Sequence, residues 1–124
     1  MYADARRAYE AGARTGATSR KLEAAALFSA ARRLEACRPD AGADGARGRW
    51  NEALTHNQRL WTLFQLELAR PDHPMPLALR VDVLRLSAFV DRRTLELLAA
   101  PSDAGLQALI DINRHLAEGL STPA

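Results

Sequence analysis

The side chains able to do chemistry in this chain are few: three histidines, His56, His73 and His115, and one cysteine, Cys37. A metal site needs imidazole, thiolate or carboxylate ligands at short helical spacing or in paired clusters. No two of these histidines stand i, i+4 apart, and Cys37 is close to none of them in sequence, so no metal is expected. The chain also lacks a Gly-rich phosphate loop between a strand and a helix, a nucleophile elbow, and any Ser or Cys with a recognisable base partner. It is therefore expected to be no enzyme, to carry no cofactor, and to act by binding another macromolecule.

The residues that stand out are instead aromatic and amide. Trp50 and Trp61 lie about three helical turns apart and project from nearly the same face. They read as two core aromatics; the alternative is that Trp61 anchors a partner, as aromatic hot spots do, and is then partly exposed in the free protein. Asn57 shares the stripe of Trp50, Leu54 and Trp61, and Asn113 shares that of Leu106, Ile110 and Leu120. A buried amide without partners costs about 1 to 3 kcal/mol. These two must therefore bond to helix ends, to each other or to a partner's backbone. Asp91 poses the same question, with Arg92, Arg93 and Arg114 as candidate counter-charges. Asn57-Gln58-Arg59-Leu60 and Asn113-Arg114-His115-Leu116 share a short pattern, too brief to establish a duplicated hairpin.

The elements that position these residues read as helices throughout. The 124 residues contain 25 Ala and 19 Leu but only five Val and Ile together, a composition that favours helix and starves a sheet. The fold class is all-α: a small antiparallel bundle of about four helices in one domain, with a short N-terminal helical arm. Residues 1–17 form the arm, expected to be mobile, with Tyr2 and Tyr9 on one side and Gly12 and Gly16 separating it from the first bundle helix. Thr18 or Ser19 caps that first helix over 18–38, with Glu23 in its first turn. A Gly- and Pro-containing flexible linker spans 39–48. A three-helix core fills 49–120, its segments starting near Arg49, Pro76 and Ser102. The middle one presents Leu77, Val81, Leu84, Ala88 and Leu95 on one face with Val83, Leu86, Val90 and Leu97 beside it, so it is expected to be central and touched by several neighbours.

Charge and cysteine use narrow the setting. The formal net charge is +2, carried by 16 Arg and one Lys against 15 acids. Acidic and basic residues alternate along the chain, which argues against a nucleic-acid footprint. One cysteine permits no intrachain disulfide. The N-terminus lacks an apolar signal core, and no apolar run approaches about 18 residues, so membrane insertion is not indicated and a cytoplasmic location is expected.

Four segments in order carry a resemblance: His56-Asn57-Gln58-Arg59-Leu60-Trp61; Leu77-Ala78-Leu79-Arg80; Phe89-Val90-Asp91-Arg92-Arg93-Thr94; and Ile110-Asp111-Ile112-Asn113-Arg114 with Leu116, Gly119 and Leu120. Together they resemble the FlaF family of bacterial flagellar biosynthesis regulators over residues 49 to 120. Ala8-Tyr9, Thr18-Ser19-Arg20, Glu23 and Leu27-Phe28 echo its N-terminal part more loosely. The resemblance implies a cytoplasmic factor of flagellated α-proteobacteria that couples flagellin synthesis to secretion by binding flagellin as a chaperone, and that is associated with FlbT, a regulator of flagellin translation. Tyr2, Tyr9, Leu60 and Trp61 are placed at the partner contact; Asn57, Arg59, Asp91, Arg92, Asn113 and Arg114 are the motif residues expected to hold the bundle. Direct action on flagellin mRNA or on FlbT, or adaptation to the export apparatus, are the rival readings.

Overall fold

The first 36 residues contain twelve alanines, and this stretch forms one long helix, α1, over Tyr2–Ala36. The computed structural model describes the backbone of residues 2–38 and 45–121, and side chains over 19–38 and 45–121. The expected break between an arm and a first helix is corrected: α1 runs through Gly12 and Gly16. Each glycine costs about 1 kcal/mol against alanine in a helix interior, but alanine adjoins each of them, and propagating an existing helix is easier than nucleating a new one. Ser19 accordingly caps nothing; its hydroxyl donates to Glu23 Oε1 at 3.4 Å within the helix. At the other end Cys37 N reaches both Arg33 O and Leu34 O at 3.2 Å, a tightened last turn.

Three further helices follow among the described residues: α2 over Ala46–Leu68, α3 over Leu77–Ala99 and α4 over Asp103–Ser121. The expected linker falls mostly on 39–44, outside the described residues. Its last part is corrected, since α2 already begins at Ala46. Gly45 precedes it in the left-handed region at φ 74°, a conformation glycine adopts without a Cβ clash. The end of α2 is closed by Arg80 of α3, which donates to Arg70 O at 2.9 Å and Leu68 O at 3.4 Å and so satisfies carbonyls that the helix itself cannot. Pro76 lies just outside α3 as its N-cap. Ser102 caps α4, its hydroxyl accepting from Gly105 N at 3.2 Å.

The helices alternate in direction. Trp50 meets Leu97 while Gln65 meets Asp91, which makes α2 and α3 antiparallel. Arg38 at the end of α1 meets Asp103 at the start of α4. Each helix packs on two neighbours in a ring, with α1 and α4 the most extensive pair, an up-down-up-down bundle. The core gathers Leu27 and Leu34 from α1, Trp50, Leu54 and Trp61 from α2, Val90 and Leu97 from α3, and Leu106, Leu109 and Ile110 from α4. Gly105 permits close α3 to α4 contact: a Cβ there would lie 2.8 Å from Leu97 Cδ2.

Two consequences bear on function. With 35 residues against 19, α1 is about 52 Å long and α4 about 28 Å at the ordinary helical rise. Since Arg38 and Asp103 align one pair of ends, the first half of α1 extends past the end of α4. The face of α3 is also corrected. Its buried residues are Val83, Ser87, Val90, Thr94 and Leu97, while Leu77, Val81, Ala88 and Leu95 are exposed, so α3 is not a central helix. Thr94 and Ser87 are tolerated inside because each hydroxyl is satisfied: Thr94 Oγ1 donates to Val90 O at 2.7 Å within the helix, and Ser87 Oγ accepts from Gln65 Nε2 of α2.

Candidate functional site

The interior feature that organises this bundle is a directional chain of polar groups between α2 and α4, which do not otherwise touch along their backbones. Trp61 Nε1 donates to Asn113 Oδ1 at 2.9 Å, and Asn113 Nδ2 donates to Asn57 Oδ1 at 2.7 Å. All three residues are 0 % exposed. An indole N–H can only donate, so it orients the Asn113 amide, which in turn orients that of Asn57. The chain ends at Asn57 Nδ2, which has no partner among the described residues.

Trp61 is therefore a core residue, as the first of its two readings has it, and its alternative placement as a partly exposed anchor at the partner contact is corrected. Its N–H finds an acceptor inside the bundle, and its ring meets Phe64 edge to face at 5.9 Å, so both halves of the side chain are satisfied without solvent. Trp50 is likewise buried, donating to Leu97 O at 2.9 Å near the end of α3. Leu60 is half-buried against the core. Tyr2 and Tyr9 lie in the part of α1 whose side chains are outside the described residues.

The charged motif residues spread over the surface rather than converging. The candidate counter-charges for Asp91 are corrected: its partner is Gln65 of α2, whose Nε2 donates to Asp91 Oδ2 at 2.9 Å and also reaches Ser87 Oγ. A neutral amide from a neighbouring helix serves where an arginine was expected. Arg93 instead pairs with Glu96 at 3.5 Å and lies over the Phe89 ring at 5.3 Å from its centroid. Arg92 is exposed and Arg114 half-buried. Arg59 is exposed beside His56. Burial pushes the His56 imidazole toward its neutral form, and the charges of Arg33 and Arg59 add to this. Its Nδ1 accepts from Arg33 Nη1 at 3.3 Å.

Sequence reasoning missed Arg38. Its guanidinium grips Glu35 through two bonds at 2.7 and 3.0 Å, Asp103 at 2.7 Å, and Gln107, tying the end of α1 to the start of α4. The fork geometry of arginine suits such a shared grip. The bond to Arg38 holds the Glu35 carboxyl below the usual carboxylate range. The nearest sequence signal was an arginine just past a helix end, which is too common to single out.

Among the described residues, no group of three or more His, Cys, Asp and Glu could hold a metal ion, and no helix is long and apolar enough to cross a membrane. What the surface does display is large apolar side chains: Leu22, Leu63, Leu66, Leu77, Leu79, Val81 and Leu95 are all exposed. The fold and these features define an all-α, four-helix bundle protein with a polar chain in its core and several large apolar side chains on its surface. The family model described as Flagellar protein FlaF matches residues 5–120, nearly the whole chain. This protein belongs to the FlaF family and so to the proteins of flagellar biosynthesis. Searches of curated proteins and of solved structures returned no match.

Proposed function

We propose that this protein binds flagellin as a chaperone in the cytoplasm and couples flagellin synthesis to secretion. The observation that carries this reading is the set of exposed leucines and valine on a bundle of the FlaF family. Apolar side chains left outside a completed core favour a partner that buries them. An amphipathic helix laid on such a surface is a common recognition mode, and the terminal segments of flagellin are of that kind. Ordering a floppy client costs free energy, so the complex is expected to be of moderate affinity and reversible, as handover to an export gate requires.

The rival reading, direct action on flagellin mRNA, draws less support. A nucleic-acid surface wants clustered, available cations. Here Arg38, Arg70 and Arg93 are held in ion pairs and Arg47 and Arg80 on backbone carbonyls, while the exposed Arg59, Arg85 and Arg92 are divided between α2 and α3 and stand beside large apolar side chains. The test is titration of the purified chain with its cognate flagellin at micromolar concentrations, followed by size exclusion. A co-eluting complex supports the proposal, and its absence across that range refutes it. A pull-down from cells lacking flagellin separates this role from that of an adaptor to FlbT or to the export apparatus.

A further inference from the structure

We infer that the outward face of α3, extended by Leu66 of α2, is the docking site, and that its occupant is an amphipathic partner helix whose apolar stripe is flanked by carboxylates. This rests on the chaperone reading above and specifies its contact surface and the chemistry recognised there.

The surface is built by helix periodicity. At about 100° per residue, Leu77, Val81, Leu84, Ala88 and Leu95 fall within about 60° of one another around α3. The buried row of Val83, Ser87, Val90, Thr94 and Leu97 lies elsewhere on the helix. Leu77 and Leu95 are 67 % and 60 % exposed. Gln65 sets the register between α2 and α3 through Ser87 and Asp91, which brings Leu66, 65 % exposed, level with Leu84 and Ala88. From Leu77 to Leu95 the stripe is about 27 Å long. A straight ridge of this length, with alanine at its middle for close approach, suits a helix of about five turns.

The rim charge selects the occupant. Arg85 and Arg92 lie along the outward edge of the stripe and Arg59 on the outer surface of α2; all three are exposed, and none forms an ion pair among the described residues. The acids nearby are engaged or turned aside: Asp91 is held by Gln65, Glu96 pairs with Arg93, and Asp82 sits further round toward α4. The uncompensated charge beside the apolar stripe is therefore positive, and carboxylates on the partner complete it. A second copy fits poorly. Two α3 helices packed antiparallel about Ala88 would set Arg85 and Arg92 on the same side as their counterparts, and opposed like charges are unfavourable.

The experiment uses the full chain and its cognate flagellin, with affinity read by titration calorimetry and folding by circular dichroism. Three variants are compared with the parent: Val81→Glu with Leu95→Glu, Arg85→Glu with Arg92→Glu, and Ala25→Glu as an exposed substitution on α1 away from the apolar side chains. The first should raise the Kd at least tenfold with helicity retained. The second should also raise it and flatten its salt dependence, while Ala25→Glu leaves it within about twofold. If the parent binds flagellin and both α3 variants bind equally well, the docking inference is overturned and the chaperone reading stands. No parent complex overturns both. A parent that sediments as a dimer, and a Val81→Glu, Leu95→Glu variant that sediments as a monomer, would assign the face to a second copy and overturn the partner helix.

Discussion

Replacing Asn113 with leucine cuts the buried polar chain at its middle link. Leucine has a similar branched shape, so the change is chiefly a loss of polar partners. Two groups that are fully buried in the bundle then lose their bonds: the Trp61 indole N–H, now 2.9 Å from its acceptor, and Asn57 Oδ1, now 2.7 Å from its donor. Each orphaned buried group costs about 1 to 3 kcal/mol, so Asn113→Leu should destabilise by about 2 to 6 kcal/mol. That is a large part of the roughly 5 to 15 kcal/mol available to a domain. Asn57→Leu acts at the end of the chain. It orphans Asn113 Nδ2 but removes Asn57 Nδ2, which already lacks a partner, so the two effects offset and the net cost should stay within about 1 kcal/mol. Replacing all three residues together, Trp61→Phe, Asn57→Leu and Asn113→Leu, leaves no polar orphan and should recover part of the stability lost by Asn113→Leu alone, the remainder being the cavity left where the larger indole was fully buried. Urea denaturation followed by far-ultraviolet circular dichroism, with unchanged slope as the test that the denatured state is the same, measures all three. Equal costs for Asn57→Leu and Asn113→Leu would refute the directional chain.

Three other outcomes rest on the same geometry. The Glu35 carboxyl is held low by Arg38 and Asp72 by Arg70, so their contributions are present above the unfolded carboxylate range near about pH 4 and are lost as pH falls through the folded values; urea midpoints should drop in acid, and Arg38→Met should flatten that dependence. Burial pushes the Cys37 thiol up, and it donates to Leu34 O at 3.2 Å, so reaction with a thiol reagent near pH 8 should be slow in the native protein and accelerate with unfolding in urea. Gly45→Ala places a side chain at φ 74° and should cost about 1 to 2 kcal/mol, read as a lower urea midpoint with unchanged helicity.

Much of the architecture was legible along the chain, because α2 and α4 bury one stripe each and their caps and breakers are local. Ser102 before α4 and Pro71 to Pro76 after α2 act through their own backbone neighbours. Two signals misled. Gly12 and Gly16 read as a break, yet the alanine-rich context carries α1 through both. On α3 two stripes compete, and hydrophobicity ranked the row of Leu77, Val81, Leu84 and Leu95 equal to or above the one with Ser87 and Thr94. The opposite row is buried, because small hydroxyl residues admit close packing and Thr94 satisfies its own hydroxyl within the helix. The aromatic pair read correctly as core: periodicity put both tryptophans on the buried stripe, but only the position of Asn113 across the bundle decided that the Trp61 N–H needs no outside acceptor.

By itself the sequence determined what depends on neighbours a few residues away: an all-α chain, the breaks after α2 and α3, and the absence of metal-ligand and catalytic motifs from its local patterns. Its ordered segments also carried membership of the FlaF family. The tertiary structure decided which face of α3 is inside, that Gln65 and not an arginine answers Asp91, that Arg38 joins α1 to α4, and that Trp61, Asn113 and Asn57 form one chain. Those depend on register between helices distant in sequence, which is set by the joint packing of four apolar stripes and by hydrogen bonds that exist only once the bundle has closed.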